Sequence, residues 1–209
     1  MIDWDSLRIG LRFPESARRF ASCDSLLMPV YIALLRGINI GPHKRMKMEK
    51  LRASCEALGF KNIRTYIQSG NVVCQAGKLS SDGAAKKIES QIVKDFGFSA
   101  DVIARTADEI KQVLEANPLL KERGLDSEKF HVVFLPEVPS SESIKKLESI
   151  VLAPDKVRHQ GKEIYFYFPN GVSGSSIWKH NLDRVLGISG TMRNWRTVNT
   201  LHQMAGECE

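Results

Sequence analysis

The chain has 209 residues, is 43% hydrophobic and carries a formal net charge of +6 with a pI near 9.2. That is ordinary globular composition, enough for one large domain or two small ones; halves of under ~100 residues have marginal cores alone and would share a buried interface. No apolar run approaches the ~18 residues of a membrane-spanning helix, and the modest basic excess permits phosphate or nucleic-acid binding without demanding it.

Residues 1–27 differ from the rest of the chain. Four arginines (Arg8, Arg12, Arg18, Arg19) and four acids (Asp3, Asp5, Glu15, Asp24) are mixed without periodicity. No apolar core succeeds a basic start, so the segment is not a secretory signal, and its acids argue against an organelle transit peptide. Met28 then precedes a strong strand at once. The expectation is that 1–27 is an upstream extension or a disordered tail and that Met28 is the true start.

From Met28 the elements come in a readable order. A nearly continuous apolar run over 30–36 predicts a buried central strand. A loop, 37–45, carries Gly37, Gly41 and Pro42. A helix over 46–58 places Met48, Leu51, Cys55 and Leu58 on one face, with Gly59 after it. Strands 62–68 and 71–76 flank Ser69-Gly70, a hairpin signal with a two-residue loop. A helix over 81–96 presents Ala85, Ile88, Ile92 and Phe96, and strand 100–105 comes next. Thr106 to Glu109 reads as a capping box opening a helix with Ile110, Val113 and Leu114 on its apolar stripe, and Asn117-Pro118 stops it.

A polar stretch, 119–128, reads as a linker, and the pattern restarts. Strand 129–135 leads to a helix over 141–151 with Ile144, Leu147 and Val151. Strands 156–160 and 163–168 turn at Gly161-Lys162. A helix over about 175–186 carries Trp178, Leu182, Val185 and Leu186. A short segment, 188–193, reads as the last strand, and a helix from Asn194 carries Val198, Leu201 and Met204. The expected fold is α+β: two tandem ferredoxin-like (βαββαβ) units with antiparallel sheets and an extra helix each. The first unit spans 28–118 and the second 129–206.

Three segments stand out together: Arg36-Gly37-Ile38-Asn39, Tyr66-Ile67-Gln68-Ser69-Gly70-Asn71, and Thr191 to Val198 (TMRNWRTV). In this order and spacing the chain resembles the bacterial domain-of-unknown-function family 1697, whose members carry R-G-I-N-V-G-G, Y-I-Q-S-G-N and T-x-R-N-W-x-T-V. The resemblance covers about residues 28 to 206. It implies a pair of ferredoxin-like units and brings no activity with it. The chain departs from the family pattern at Pro42, where a second glycine is usual, and at Thr200, where a lysine is common.

Several residues are candidates for a site. Asn194 stands where a helix begins, and a helix N-terminus with Arg193 and Arg196 beside it suits an anion; alternatively Asn194 only caps, Trp195 packs between the two halves and Arg193 pairs with an acid inside the fold. Arg36, Asn39 and Lys47 lie on a strand-to-helix loop that also suits an anion, within the densest basic run, His43 to Lys47 with Lys50 and Arg52. It is not a P-loop. Gln68 and Asn71 flank a turn and either read a polar ligand or serve turn chemistry. The strand Tyr165-Phe166-Tyr167-Phe168 alternates, so Tyr165 and Tyr167 share a face on which RNA bases can stack if it is open.

The five histidines lack metal spacing, no carboxylate pair or nucleophile elbow appears, and no cofactor signature is present. The four cysteines, Cys23, Cys55, Cys74 and Cys208, form no C-x-x-C pair and read as reduced thiols of a cytoplasmic protein, with Cys55 and Cys74 in the core. Three functions remain open on the sequence: a binding module for an anionic nucleotide, phosphometabolite or RNA, which is favoured; a small-molecule enzyme with a cleft between the units; and an interaction or structural module.

Overall fold

The computed structural model describes residues 28–208, and the expectations for 1–27, including Cys23, lie outside the described residues. The first sheet is four-stranded and antiparallel throughout, in the order β2-β3-β1-β4, from β1 (Val30–Leu35), β2 (Lys61–Tyr66), β3 (Asn71–Gln75) and β4 (Val102–Thr106). All six residues of β1 are buried, because both faces of this strand are covered. Tyr31, Ala33 and Leu35 face one cluster with α1 (Met48–Ala57) and α2 (Ser81–Phe96), while Val30, Ile32 and Leu34 face another. The alternation is the period-2 consequence of a pleated strand.

The second sheet repeats the arrangement in the order β6-β7-β5-β8, from β5 (Phe130–Phe134), β6 (Lys156–Gln160), β7 (Glu163–Tyr167) and β8 (Thr191–Asn194). Its outer face packs Val133, Ile164, Phe166 and Phe168 against α4 (Ser141–Ile150) and α5 (Leu182–Leu186).

Two further helices fill the space between the sheets. α3 (Ala107–Glu115) is opened by the expected capping box: the Thr106 hydroxyl accepts from the Glu109 amide and the Glu109 carboxylate accepts from the Thr106 amide. α6 (Trp195–Gly206) is capped by Asn194, whose side chain accepts from the Thr197 amide at 2.8 Å. Ile110 and Val113 of α3 and Val198, Leu201 and Met204 of α6 join Ile32, Leu34, Phe130, Val132 and Phe134 in one central cluster drawn from both sheets.

The register of the two sheets is related by an internal pseudo-twofold. Ile32 lies opposite Arg105 and Leu34 opposite Asn71 in the first sheet. Val132 lies opposite Arg193 and Phe134 opposite Glu163 in the second.

Three expectations change, and the open question of the 165–168 strand is decided. The β2–β3 connection is a four-residue turn, 67–70, because Ile67 and Gly70 both take positive φ. Within 119–128, Leu119 is fully buried in the central cluster and 3-10 turns form at Pro118–Lys121 and Ser127–Lys129, so this connection packs against the fold. No helix spans 175–186. Instead a strap of two 3-10 turns, Val172–Gly174 and Ser176–Lys179, runs to a short α5, leaving Trp178 half exposed. Tyr165 is buried, with its hydroxyl donating to the Val113 carbonyl at 3.0 Å. Tyr167 stands edge-on to Phe130, so α3 and the central cluster occupy the face on which bases would stack.

Because both sheets share the central cluster, urea denaturation should give one cooperative transition. Leu201→Ala should lower stability by about 2–5 kcal/mol through the cavity it leaves. Two separated transitions would show that the sheets fold independently. Thr106→Ala, which deletes the cap oxygen, should cost about 1 kcal/mol in the same assay.

Candidate functional site

Arg193 lies on β8, one residue before the Asn194 cap, on the face that meets the first sheet. It is 8% exposed, and its guanidinium crosses between the units. Nε donates to Asn71 Oδ1 at 2.5 Å, Nη1 to Thr191 Oγ1 at 2.7 Å and the Met192 carbonyl at 2.8 Å, and Nη2 to the Leu35 carbonyl at 2.7 Å. The Ser69 and Gly70 carbonyls lie at 3.3 and 3.4 Å from Nη2. Every one of these acceptors is neutral. Burial pushes the Arg193 pKa down to about 10, so the group is still a cation at neutral pH.

The pseudo-twofold supplies its counterpart. Arg105 lies on β4, one residue before the Thr106 cap. Its Nη1 donates to its own preceding carbonyl, Ala104, and its Nη2 to the Leu135 carbonyl at 2.6 Å, as Arg193 does with Met192 and Leu35. The third partner differs. Arg105 meets the Glu163 carboxylate at 2.9 and 3.0 Å, where Arg193 meets the Asn71 amide. Burial holds the Glu163 carboxyl above its ordinary value against the pull of Arg105, as expected for a desolvated pair. One buried arginine is therefore balanced by a carboxylate, and among the described residues the other is bonded to none.

The unbalanced one lies at the floor of a cleft. A cavity of about 470 Å³ is lined by both units, among them Arg36, Ile38, Lys44, Asp101, Trp178 and Arg193. A second hollow of about 450 Å³ adjoins it through Arg36, Trp178, Gly190 and Met192. Arg36 is held across the units by Asp183 at 2.5 Å and within its own unit by Asp101 at 3.6 Å. Glycine is required at the lining position Gly190 and at Gly70, next to the lining residue Ser69. A Cβ on Gly70, at φ +79°, would come within 2.7 Å of Leu35 Cβ, and one on Gly190 within 2.9 Å of the Phe134 carbonyl oxygen.

The structure brings some predicted site residues together and separates others. Arg36 and Arg193 line the one cleft. Asn39, at φ +55°, does not line the cleft and instead braces the loop that carries the lining residues Ile38 and Ile40. Its Nδ2 donates to the Met46 and Gln68 carbonyls at 3.0 and 2.8 Å, and its Oδ1 accepts from the Met46 amide at 2.7 Å. Asn71 is fully buried and donates to the Tyr66 carbonyl, so it is a partner of Arg193 and part of the hairpin. Gln68 is exposed on the turn. Lys47 is the residue preceding α1 and does not line the cleft, whereas Lys44 does. Asn194 faces a separate hollow with Trp195, Arg196 and Asn199, because it and Arg193 alternate on β8.

Within the basic run, Lys50 donates to the Asp95 carbonyl and covers the Phe96 ring, and Arg52 bonds Thr65. Sequence reasoning had Lys44 within the basic run without singling it out, and missed Asp101, Trp178, Asp183 and the Arg105–Glu163 pair as site residues. An arginine directly before a helix cap in each unit is the signal that identifies Arg105. Cys55 and Cys74 are buried, and burial raises both thiols to about 12. Among the described residues, no group of three or more His, Cys, Asp or Glu is placed to hold a metal ion, and no helix is long and apolar enough to cross a membrane.

The chain belongs to the family described as a protein of unknown function, DUF1697, whose model matches residues 28–165. The match takes in Arg36–Asn39 and the 66–71 segment. Among solved structures, the chain is similar to a conserved bacterial protein, SP0830, from Streptococcus pneumoniae. The TM-score is 0.68 at 24% identity, covering 85% of this chain and 98% of that one, which shows a shared fold. No curated protein matches the chain.

Arg193→Lys keeps the charge but replaces a planar five-donor fork with three mobile donors. It should leave several buried carbonyls unpaired and cost about 3 kcal/mol in urea denaturation. A variant as stable as the parent would show that the guanidinium is not a structural clamp.

Proposed function

We propose that the protein is a binding module for a small anionic ligand, held in the cleft between the two units. The observation that carries this is the buried Arg193 cation, surrounded by neutral acceptors, at the floor of a cleft that also presents Arg36 and Lys44. Its pseudo-symmetric mate, Arg105, lines a smaller hollow of about 260 Å³ together with Glu163, which neutralises it, so of the two copies the one in the larger cleft lacks a carboxylate partner among the described residues. The five N–H groups of Arg193 are engaged by the protein. Its contribution to an anion is therefore electrostatic field in a low-dielectric wall, and Lys44 and Arg36 supply direct contacts.

The loop from Gly37 to Gly41 adds a backbone element. Gly37, Asn39 and Gly41 all take positive φ and the two residues between them do not. The Asn39 amide donates to the Lys44 carbonyl at 3.1 Å, so the loop closes on itself and holds Lys44 at the cleft.

A volume of about 470 Å³ suits a small molecule, since such sites run from ~300 to ~1,000 Å³. The burial of Tyr165 weighs against the RNA-platform version. For catalysis, the cleft group with a shifted pKa is an arginine that stays protonated at neutral pH and offers no acid–base step, so binding is preferred to an enzyme. We read each sheet with its outer helices as a ferredoxin-like unit, 28–118 and 129–206, on the strand orders and all-antiparallel pairing.

Isothermal titration of the full chain with inorganic pyrophosphate should show binding that weakens as salt rises. Lys44→Ala should weaken it about ten-fold. Arg36→Ala should abolish it, because Asp101 and Asp183 are then left facing the ligand. Lys121→Ala, outside the cleft, serves as the control and should bind like the parent. Binding unaffected by Lys44→Ala and Arg36→Ala, or no binding even at low salt, would sink the anion site.

A further inference from the structure

We propose that Trp178 is a stacking platform, and that the ligand of the cleft is a planar aromatic ring carrying an anionic group, of the nucleoside monophosphate class. This rests on the anion-binding reading and adds the other half of the ligand. Trp178 is 50% exposed although it is one of the largest apolar side chains of the protein. It lines both halves of the cleft, beside Arg36. A half-exposed tryptophan on a loose loop would mean little, but this one is fixed. Its indole N–H donates to the Val172 carbonyl, so the ring edge is occupied and the ring orientation set.

The strap that bears it is anchored on both sides. Ser175 donates to Asp155 at 2.6 Å and Ile177 is buried in the outer core of the second sheet. Asn181 caps α5 just beyond. An indole held by its polar edge offers its face, the part that stacks on any planar ring.

A second observation agrees. Seven large apolar side chains are strongly exposed among the described residues, and two of them, Ile40 and Trp178, line this cleft. Ile40, 73% exposed, lines it with Trp178. Ile67, 50% exposed, stands on the 67–70 turn whose Ser69 is also a lining residue. The cleft thus combines a cationic floor with an apolar rim. A bare phosphate uses only the floor, whereas a ring bearing a phosphate uses both.

The test is calorimetric titration of the full chain with adenosine 5′-monophosphate, ribose 5-phosphate and adenosine, on the parent, Trp178→Leu and Trp178→Phe. The expected result is that the nucleotide binds at least about ten-fold more tightly than ribose 5-phosphate. Trp178→Leu should remove that advantage while leaving ribose 5-phosphate affinity unchanged, and Trp178→Phe should keep most of it. Equal affinities for the nucleotide and the sugar phosphate, or a Trp178→Leu variant that retains the preference, would overturn the platform and leave the anion site standing. Tight binding of adenosine that the phosphate does not improve would instead remove the anion site. Binding of none of the three would overturn both.

Discussion

The guanidinium of Arg193 is the interaction on which the rest of the molecule depends. It closes the space between two sheets by satisfying the Leu35 carbonyl at the end of β1, the Asn71 amide at the start of β3 and the carbonyls of the turn between β2 and β3. A strand end buried at an interface leaves carbonyls that water cannot reach, and an unpaired one costs roughly 1–3 kcal/mol. A planar five-donor fork is the side chain best able to serve several of them at once. The pseudo-twofold sets the same device at Arg105, reaching the Leu135 carbonyl from the opposite direction. The units are therefore cross-linked by two arginines, each offered by the last strand of one sheet to the first strand of the other.

The symmetry makes the difference between the two sites informative. At Arg105, Glu163 neutralises the cation; at Arg193, an amide takes the equivalent position. A buried charge without a counterion is unfavourable, and a fold that needed only the hydrogen bonds is served as well by the balanced version. The unbalanced copy stands in a cleft where residues of 36–38, Ser69 and 191–193 meet, and which Lys44 and Trp178 also line. The positive end of the cleft thus comes from the same residue that holds the units together, which ties the site's electrostatics to the integrity of the fold.

Much of the architecture is legible in the residues. Strand 30–36 and helix 81–96 are visible because an all-apolar run and a 3.6-residue stripe are local properties, and the Thr106 and Asn194 caps because a cap is written in three or four consecutive residues. The strap 172–181 is not legible. Trp178, Leu182, Val185 and Leu186 are spaced like one helical stripe, but only Leu182–Leu186 is helical, and the 3-10 turn before it sends Ile177 to the core in place of Trp178. Trp178 is misread for that reason: an apolar residue in an apparent stripe is assigned to the core, and only the path of the chain exposes it. Similarly, Tyr165 and Tyr167 do alternate onto one face, but whether that face is open depends on α3, which the strand's own residues do not encode.

The sequence by itself determined the order of eight strands, the helices other than the strap, and the Thr106 and Asn194 caps, because each is set by neighbours a few residues apart. It also singled out Arg36, Asn71 and Arg193. Only the tertiary structure decided what they are. Asn71 and Arg193 are 122 residues apart, and the absence of a carboxylate around Arg193 among the described residues depends on which elements pack over it. The same packing sent Asn194 to a different hollow and brought Lys44 and Trp178 into the cleft. Local sequence sets hydrogen-bonding and apolar periodicity, whereas charge balance in a buried site is a sum over residues that only folding makes neighbours.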